Sequence, residues 1–289
     1  RQPPTASSIS SPPYTTTSIA GDPAVGREDE YERFDREIEA MGVRIKDADA
    51  MKVRDDVFDD VTLMALYKLV HRKLISVIGG PISTGKEANV FYGEHDGRGI
   101  AIKIYRIQTA NFRAMTGYLA GDRRFSSVRG TRKGIIFAWT KKEYSNLARA
   151  HDAGVPAPEP LAFDRNILLM EFLGEGEAPY PQIRNAEIED YKGVYGEILG
   201  YVERLYREAR LVHADLSEYN ILYHEKPYLI DMGQAVTPDH PRAPAFLSRD
   251  IRNLNRYFSR YCDVPDENEV FRAITGRREP GIPGEGRQP

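Results

Sequence analysis

Cysteine is almost absent from this chain. Cys262 is the only one in 289 residues, which excludes an internal disulfide framework and a cysteine-based metal site. The six histidines are scattered, without the spacing of metal ligands. No apolar run approaches the length that crosses a bilayer, and stretches such as residues 167–170 are far too short. A large excess of one charge is missing too: the net charge is −3, so the chain as a whole has no signature of nucleic-acid binding. The first 23 residues hold no continuous apolar core, which argues against a secretory signal. The chain opens on Arg1 rather than Met, which leads to the expectation of a fragment or an unusual start. What is present is the composition of a globular protein, 41% hydrophobic and 29% charged, long enough for one large domain or two lobes. A soluble cytoplasmic protein with no membrane attachment is expected.

Residues 1–26 are rich in Ser, Thr and Pro and are expected to be disordered. From Glu28 to Gly42, Tyr31, Phe34, Ile38 and Met41 recur at helical spacing. A second helix is predicted from Asp59 to Leu74, acidic at its start and basic at its end as the helix dipole favours. Strands are predicted at 89–92 and 100–105, joined by a His95-Asp96-Gly97 turn. A mixed, basic segment over roughly 104–138 precedes a helix from Trp139 to Ala153, closed by Gly154. Val155-Pro156-Ala157-Pro158 breaks the chain before a buried strand at 167–172. An amphipathic pattern over 186–209, two short strands near 221–223 and 228–230 and a helix over 246–261 follow, and the GRREPGIPGEGRQP tail reads as disordered. Strands followed by helices make this an α+β chain, with a hinge candidate near 171–180.

The stretch from Gly80 to Glu87, G-P-I-S-T-G-K-E, almost matches a P-loop, but Glu87 stands where that loop needs a hydroxyl to ligate Mg²⁺. The residues after it favour a strand rather than the helix a P-loop opens, so the P-loop reading fails. A glycine-containing loop in a hairpin, followed by a lysine on the next strand, is instead how protein kinases cover the phosphates of ATP. Lys103, in Ala101-Ile102-Lys103, fits that lysine, although on this segment alone a solvated strand lysine fits equally well.

Residues 211–223, LVHADLSEYNILY, contain H-x-D-x-x-x-x-N in His213, Asp215 and Asn220, and Asp231 ends a later apolar run before Met232-Gly233. In the kinase template the first aspartate accepts the hydroxyl proton of the substrate, while the asparagine and second aspartate hold Mg²⁺ on the phosphates. Such chemistry depends on positioning and charge neutralisation, and hard cations take oxygen ligands. Asp and Asn are also ordinary turn residues. The strand lysine, the loop and the strand-ending aspartate in this order nevertheless make coincidence a poor explanation. Glu143, on the helix after the basic segment, is the candidate partner of Lys103, against the alternative of a solvated glutamate. His213 reads as a brace for the loop rather than a proton carrier.

Two features depart from ordinary protein kinases: one glycine in the phosphate loop where G-x-G-x-x-G has three, and only 58 residues after Asp231 with no A-P-E motif. With those departures, S-T-G-K-E-A-N-V at 83–90, A-I-K-I-Y-R at 101–106, L-M-E-F at 169–172, H-A-D-L-S-E-Y-N at 213–220, I-D-M-G-Q-A-V at 230–236 and R-D-I-R-N at 249–253 resemble the RIO family of atypical serine/threonine protein kinases, in its type-one, archaeal-like form. The resemblance covers about residues 60–262. It implies a bilobal protein-kinase-like fold. N-terminal helices would occupy 27–74, and an N-lobe with an antiparallel sheet and helices would follow over 75–172, with a basic flexible loop at about 106–135. A reduced helical C-lobe lacking an ordinary activation loop would take 173–265, and a mostly disordered tail 266–289. It implies ATP with Mg²⁺, Mn²⁺ being a possible substitute, and assigns Ser83, Thr84, Gly85, Lys86, Glu87, Ala88, Asn89 and Val90 to the phosphate-covering loop. Lys103 would bind ATP beside Glu143, and Glu171 and Leu173 would hold adenine by their backbones. Asp215 would accept the proton, Asn220 and Asp231 would ligate the metal, and Asp231 would also take phosphate covalently during ATP hydrolysis. The implied role is maturation of the small ribosomal subunit on its precursor particles, with their rRNA and proteins, by a monomer or weak dimer.

Between 104 and 142 lie Arg106, Arg113, Arg123, Arg124, Arg129, Arg132, Lys133, Lys141 and Lys142 against the single acid Asp122, a local net of +8 that suits phosphate contacts. The resemblance makes this region a site of autophosphorylation, with Ser126 and Ser127 as local candidates. Two other readings compete: a small-molecule kinase of the aminoglycoside or choline type, for which 58 residues after Asp231 are too few to build an acceptor pocket, and a non-catalytic RNA-binding assembly factor, disfavoured because the charged catalytic positions are intact.

Overall fold

The computed structural model describes residues 44–45 and 59–276, apart from 109, 126, 127 and 129. The predicted helix at 28–42, the Ser/Thr/Pro-rich segment, Ser126, Ser127, Arg129 and the chain beyond 276 lie outside the described residues. Helix α1 (Asp60–His71) starts where Asp59 caps it, with Oδ1 accepting from the Thr62 N–H at 2.9 Å and the Thr62 hydroxyl at 2.8 Å.

The sheet of the first lobe has the order β1-β2-β3-β4-β6-β5. β1 is Arg44–Ile45, β2 Val77–Thr84, β3 Ala88–His95, β4 Arg98–Tyr105, β5 Pro160–Asp164 and β6 Ile167–Glu171. Among the described residues only the β1–β2 pairing of this sheet is parallel. The β3–β4 hairpin turns on Asp96 and Gly97, both at positive φ (50° and 75°), which two-residue hairpin turns require. On β4 the two-residue alternation decides everything that follows. Ile100, Ile102 and Ile104 pack with Leu66, Leu69 and Val70 of α1, so Ala101, Lys103 and Tyr105 face the other way, into a cavity.

Helix α2 (Phe112–Ala120) and a 3₁₀ turn at Arg123–Phe125 lie in the basic segment expected as a loop. Met115, Leu119 and Phe125 pack against Ile135, Ile136 and Trp139 and give this segment an apolar anchor that its charges obscure in the sequence. Helix α3 (Arg132–Asp152) begins seven residues before the predicted start at Trp139, with Thr131 capping it, and ends with Gly154 at φ +65°. It joins two cores: its first turns belong to the α2 cluster, while Leu147 and Ala150 belong to the second lobe.

That second lobe is built from α4 (Tyr191–Arg207), the β7–β8 hairpin (Ile221–His224 and Lys226–Leu229), α5 (Ala243–Phe258) and α6 (Glu267–Thr275) around one core. Helix α6 corrects the expectation of a disordered tail from 266. Asp266 caps it by accepting from Asn268 and Glu269, Val270, Phe271 and Ile274 are buried, and Gly276 closes it in the left-handed region. Cap, apolar spacing and terminal glycine are all legible in the sequence; the Pro/Gly-rich residues beyond them outweighed the signal.

Candidate active site

A cavity of about 640 Å³ lies between the lobes, and its walls include Gly85, Lys86, Glu87, Lys103, Glu171, Leu173, Asn220 and Asp231. Lys103 is 7% exposed at its centre. Its ammonium donates to Glu143 Oε1 at 2.7 Å and to Asp231 Oδ1 at 3.0 Å. The solvated-lysine and solvated-glutamate alternatives are both excluded, because Glu143 is 1% exposed. Tyr105, which the sequence reading overlooked, donates its hydroxyl to Glu143 Oε2. Burial pulls the pKa of Lys103 down, but Asp231 and Glu143 more than reverse this and hold it well above its usual value. The same ammonium holds the Asp231 carboxyl below its usual range despite burial.

Because Lys103 and Glu143 act as one ion pair, Lys103→Ala and Glu143→Ala are each expected to weaken nucleotide binding or turnover about as much as both together. A double-mutant cycle measures this, and additive losses would show that Glu143 does not act through the lysine.

The predicted H-x-D-x-x-x-x-N loop wraps itself around Asp215. Asn220 Nδ2 donates to the Asp215 carbonyl at 2.8 Å and to Oδ2 at 3.2 Å, and Gln234 Nε2 donates to the same Oδ2 at 3.0 Å. The arrangement leaves Oδ1 of Asp215 as the oxygen that can take a proton. His213 points a ring nitrogen at the Ile230 carbonyl, 3.0 Å away. Burial pushes its pKa down to about 4, so it is a neutral brace as the sequence suggests. Asp250, inside the quoted R-D-I-R-N motif but given no role there, reaches from α5 to accept the Ala214 N–H at 2.7 Å and the Leu216 N–H at 2.9 Å. These bonds, with Arg249 donating to the Ala214 carbonyl, hold Ala214 at φ +65°. Burial pushes the Asp250 carboxyl up to about 7 against the pull of the two amides. Asp250→Ala strands both N–H groups in the interior and is expected to cost roughly 2–5 kcal/mol of stability, read by denaturant unfolding.

The phosphate-loop residues divide. Ser83, Gly85, Lys86, Glu87, Ala88 and Val90 line the cavity, whereas Thr84 does not. Asn89 is buried and shapes the loop, its Oδ1 accepting the Gly85 N–H at 3.2 Å. A Cβ on Gly85 would sit 2.9 Å from the Ala88 carbonyl oxygen, which explains the single glycine. At the hinge the Glu171 N–H is taken by the Glu159 carbonyl and the Leu173 carbonyl by the Tyr180 N–H. Of the nine basic residues counted above, Lys142 is fully buried and Arg124 is paired with Asp122 at 2.6 Å, so neither is a phosphate contact. Arg113, Arg123, Arg132, Lys133 and Lys141 are exposed.

Burial and the charge of Asp231 raise the pKa values of Glu87 and Asp215, a repulsion that a cation among them would relieve. Asn220 spends its amide nitrogen on Asp215 and keeps its oxygen for a ligand. Among the described residues no three His, Cys, Asp or Glu side chains are grouped to cage a metal. An aspartate and an amide oxygen are a donor set that fits an Mg²⁺ shared with phosphates.

The model of the RIO domain family matches residues 89–270. The chain belongs to the RIO domain family. Its similarity to named members is extensive. The RIO-type serine/threonine-protein kinase Rio1 of Haloferax volcanii is 43% identical over 256 residues, covering 88% of this chain and 87% of that protein. Rio1 of Thermoplasma acidophilum is 42% identical, covering 59% of this chain and 90% of its own length. Human serine/threonine-protein kinase RIO1 is 38% identical over 83% of this chain, which spans only 44% of the human protein. Among solved structures, the Rio2 kinase–ADP/Mg²⁺–phosphoaspartate complex of Chaetomium thermophilum superposes with a TM-score of 0.59 at 23% identity, over 77% of this chain and 69% of that one. The RIO fold is thus protein-kinase-like, as the motifs imply. Among the described residues no helix is long and apolar enough to cross a membrane.

Proposed function

We propose that this RIO-family chain is an ATP- and Mg²⁺-dependent atypical serine/threonine protein kinase that also hydrolyses ATP and serves maturation of the small ribosomal subunit in the cytoplasm. The observation that carries the catalytic part is the Lys103 ammonium bridging Glu143 and Asp231 in the cavity that Asn220 and Asp231 line, with Asp215 held beside it. Lys103 would neutralise the α/β-phosphates, and the loop from Ser83 to Val90 would cover them. Glu171 and Leu173 would orient adenine. Asn220 and Asp231 would hold Mg²⁺, which when bound offsets charge on the transferring phosphoryl group. Asp215 Oδ1 would receive the proton of an acceptor hydroxyl as its oxygen bonds to the γ-phosphorus and the bond to the ADP oxygen breaks.

In the absence of an acceptor, an Asp231 carboxylate oxygen would take the γ-phosphoryl group with release of ADP, and water would then cleave the acyl phosphate to inorganic phosphate. A relative of the same fold is named for a phosphoaspartate. The exposed basic residues from Arg113 to Lys141 support an RNA-rich partner. Family membership favours this reading over a small-molecule kinase. The test is a single-turnover ATP assay with and without purified precursor particles of the small subunit. Stimulation by the particles supports the assembly role, and equal rates with and without them would remove it.

A further inference from the structure

Lys142 is a fully buried cation with no part in the chemistry above. Its ammonium donates to the Gly233 carbonyl at 2.6 Å and to the Ala235 carbonyl at 2.6 Å. One helical turn further along α3, Asn146 Nδ2 donates to the Met232 carbonyl at 2.8 Å and to the Ala235 carbonyl at 2.9 Å. The Asn146 amide cannot flip, because its oxygen accepts from Arg124 at 2.9 Å, and Arg124 is itself anchored on Asp122. Three carbonyls in the four residues after Asp231 are therefore gripped from one helix. The contact is close: a Cβ on Gly233 would lie 3.0 Å from Trp139 Nε1 of the same helix.

The turn needs a grip. Asp231 itself stands at φ +61°, a left-handed conformation that costs a non-glycine residue free energy and persists only when its surroundings impose it. We propose that Lys142, with Asn146, is a positioning residue that fixes the Asp231 turn to α3, so that Asp231 and Glu143 keep a fixed separation around Lys103. The proposal rests on the metal-holding role proposed for Asp231. Glu143 is the next residue on α3, so the acid that holds Lys103 and the turn that presents Asp231 move as one piece. A lysine suits the task because an ammonium has three donors and no acceptor, and the site offers it converging carbonyl oxygens. Burying the charge is costly, and desolvation pulls the Lys142 pKa down to about 7.

The test uses the full chain and reads metal binding directly. Mn²⁺ binding to the protein with a non-hydrolysable ATP analogue is followed by electron paramagnetic resonance of the free ion. The affinity for the same analogue is measured separately without metal, for the unaltered protein, Lys142→Met, Asn146→Ala and Asp231→Asn. Lys142→Met keeps chain length and removes the donors. It is expected to weaken Mn²⁺ binding roughly 10–100-fold, the usual effect of losing a group that orients a ligand, and Asn146→Ala less so in the same direction. Metal-free nucleotide affinity should change by no more than about threefold, since Lys103 and Glu143 still pair. Asn146→Ala decides the matter if Lys142→Met does not fold. Equal loss of both affinities, or unchanged Mn²⁺ affinity while Asp231→Asn loses it, overturns the positioning role alone. Unchanged Mn²⁺ affinity in Asp231→Asn overturns the metal role of Asp231 and this proposal with it.

Discussion

Asp215→Ala is expected to lose phosphoryl transfer to hydroxyl acceptors by roughly 10²–10⁴-fold, the range of a general base, while ATP affinity stays within a few-fold. Asp215 is outside the wall of the cavity between the lobes, and it touches Asn220 and Gln234, which belong to that wall. Its Oδ2 is occupied by two amides, so its contribution falls on the step that moves a proton rather than on binding. Burial, then the neighbouring Asp231, raises its pKa, which brings it closer to the range in which a base works efficiently near neutral pH. Nucleotide titration and turnover on one preparation separate the two effects. Full turnover in the variant would remove Asp215 from the mechanism, and a parallel collapse of ATP affinity would assign it to binding.

Asp231→Asn is the second large effect, an expected loss of at least about 10²-fold in turnover, with metal binding sharply reduced, since a hard cation loses a charged ligand at the point where charge develops. The substitution also removes the negative charge that Lys103 meets at 3.0 Å, leaving Glu143 as the carboxylate that balances the ammonium. The covalent route is testable in the same experiment. The protein is incubated with labelled ATP and Mg²⁺, quenched in acid and divided, and one half is treated with hydroxylamine. An acyl phosphate on Asp231 releases its label there, whereas phosphoserine does not. Labile label in the unaltered protein and none in Asp231→Asn supports hydrolysis through the aspartate. Label that survives and maps wholly to serine would sink the covalent route and leave ordinary kinase chemistry.

The residues that meet around Lys103 and in the Asp215 loop were legible because each motif is local. Lys103 owes its direction to strand alternation, and Asp215 and Asn220 sit in one loop whose spacing is its own signature. The α+β class followed from the order of strands and helices in the same way. The partners of those residues were not legible as a set, because each pairing joins distant parts of the chain: Glu143 is 40 residues from Lys103, Asp231 is 128, and Asp250 is 36 from the amide it accepts. The sequence offered Glu143 as a candidate, but only its burial behind β4 made it a partner. Lys142 shows the limit most plainly. Its type and its basic neighbours place it with the surface charges, and only the packing of α3 against the Asp231 turn buries it on two carbonyls. Side-chain type and spacing determine which chemistry a chain can offer. Which charges face solvent and which face each other is decided by tertiary packing, since burial sets both the cost of a charge and the partner that offsets it.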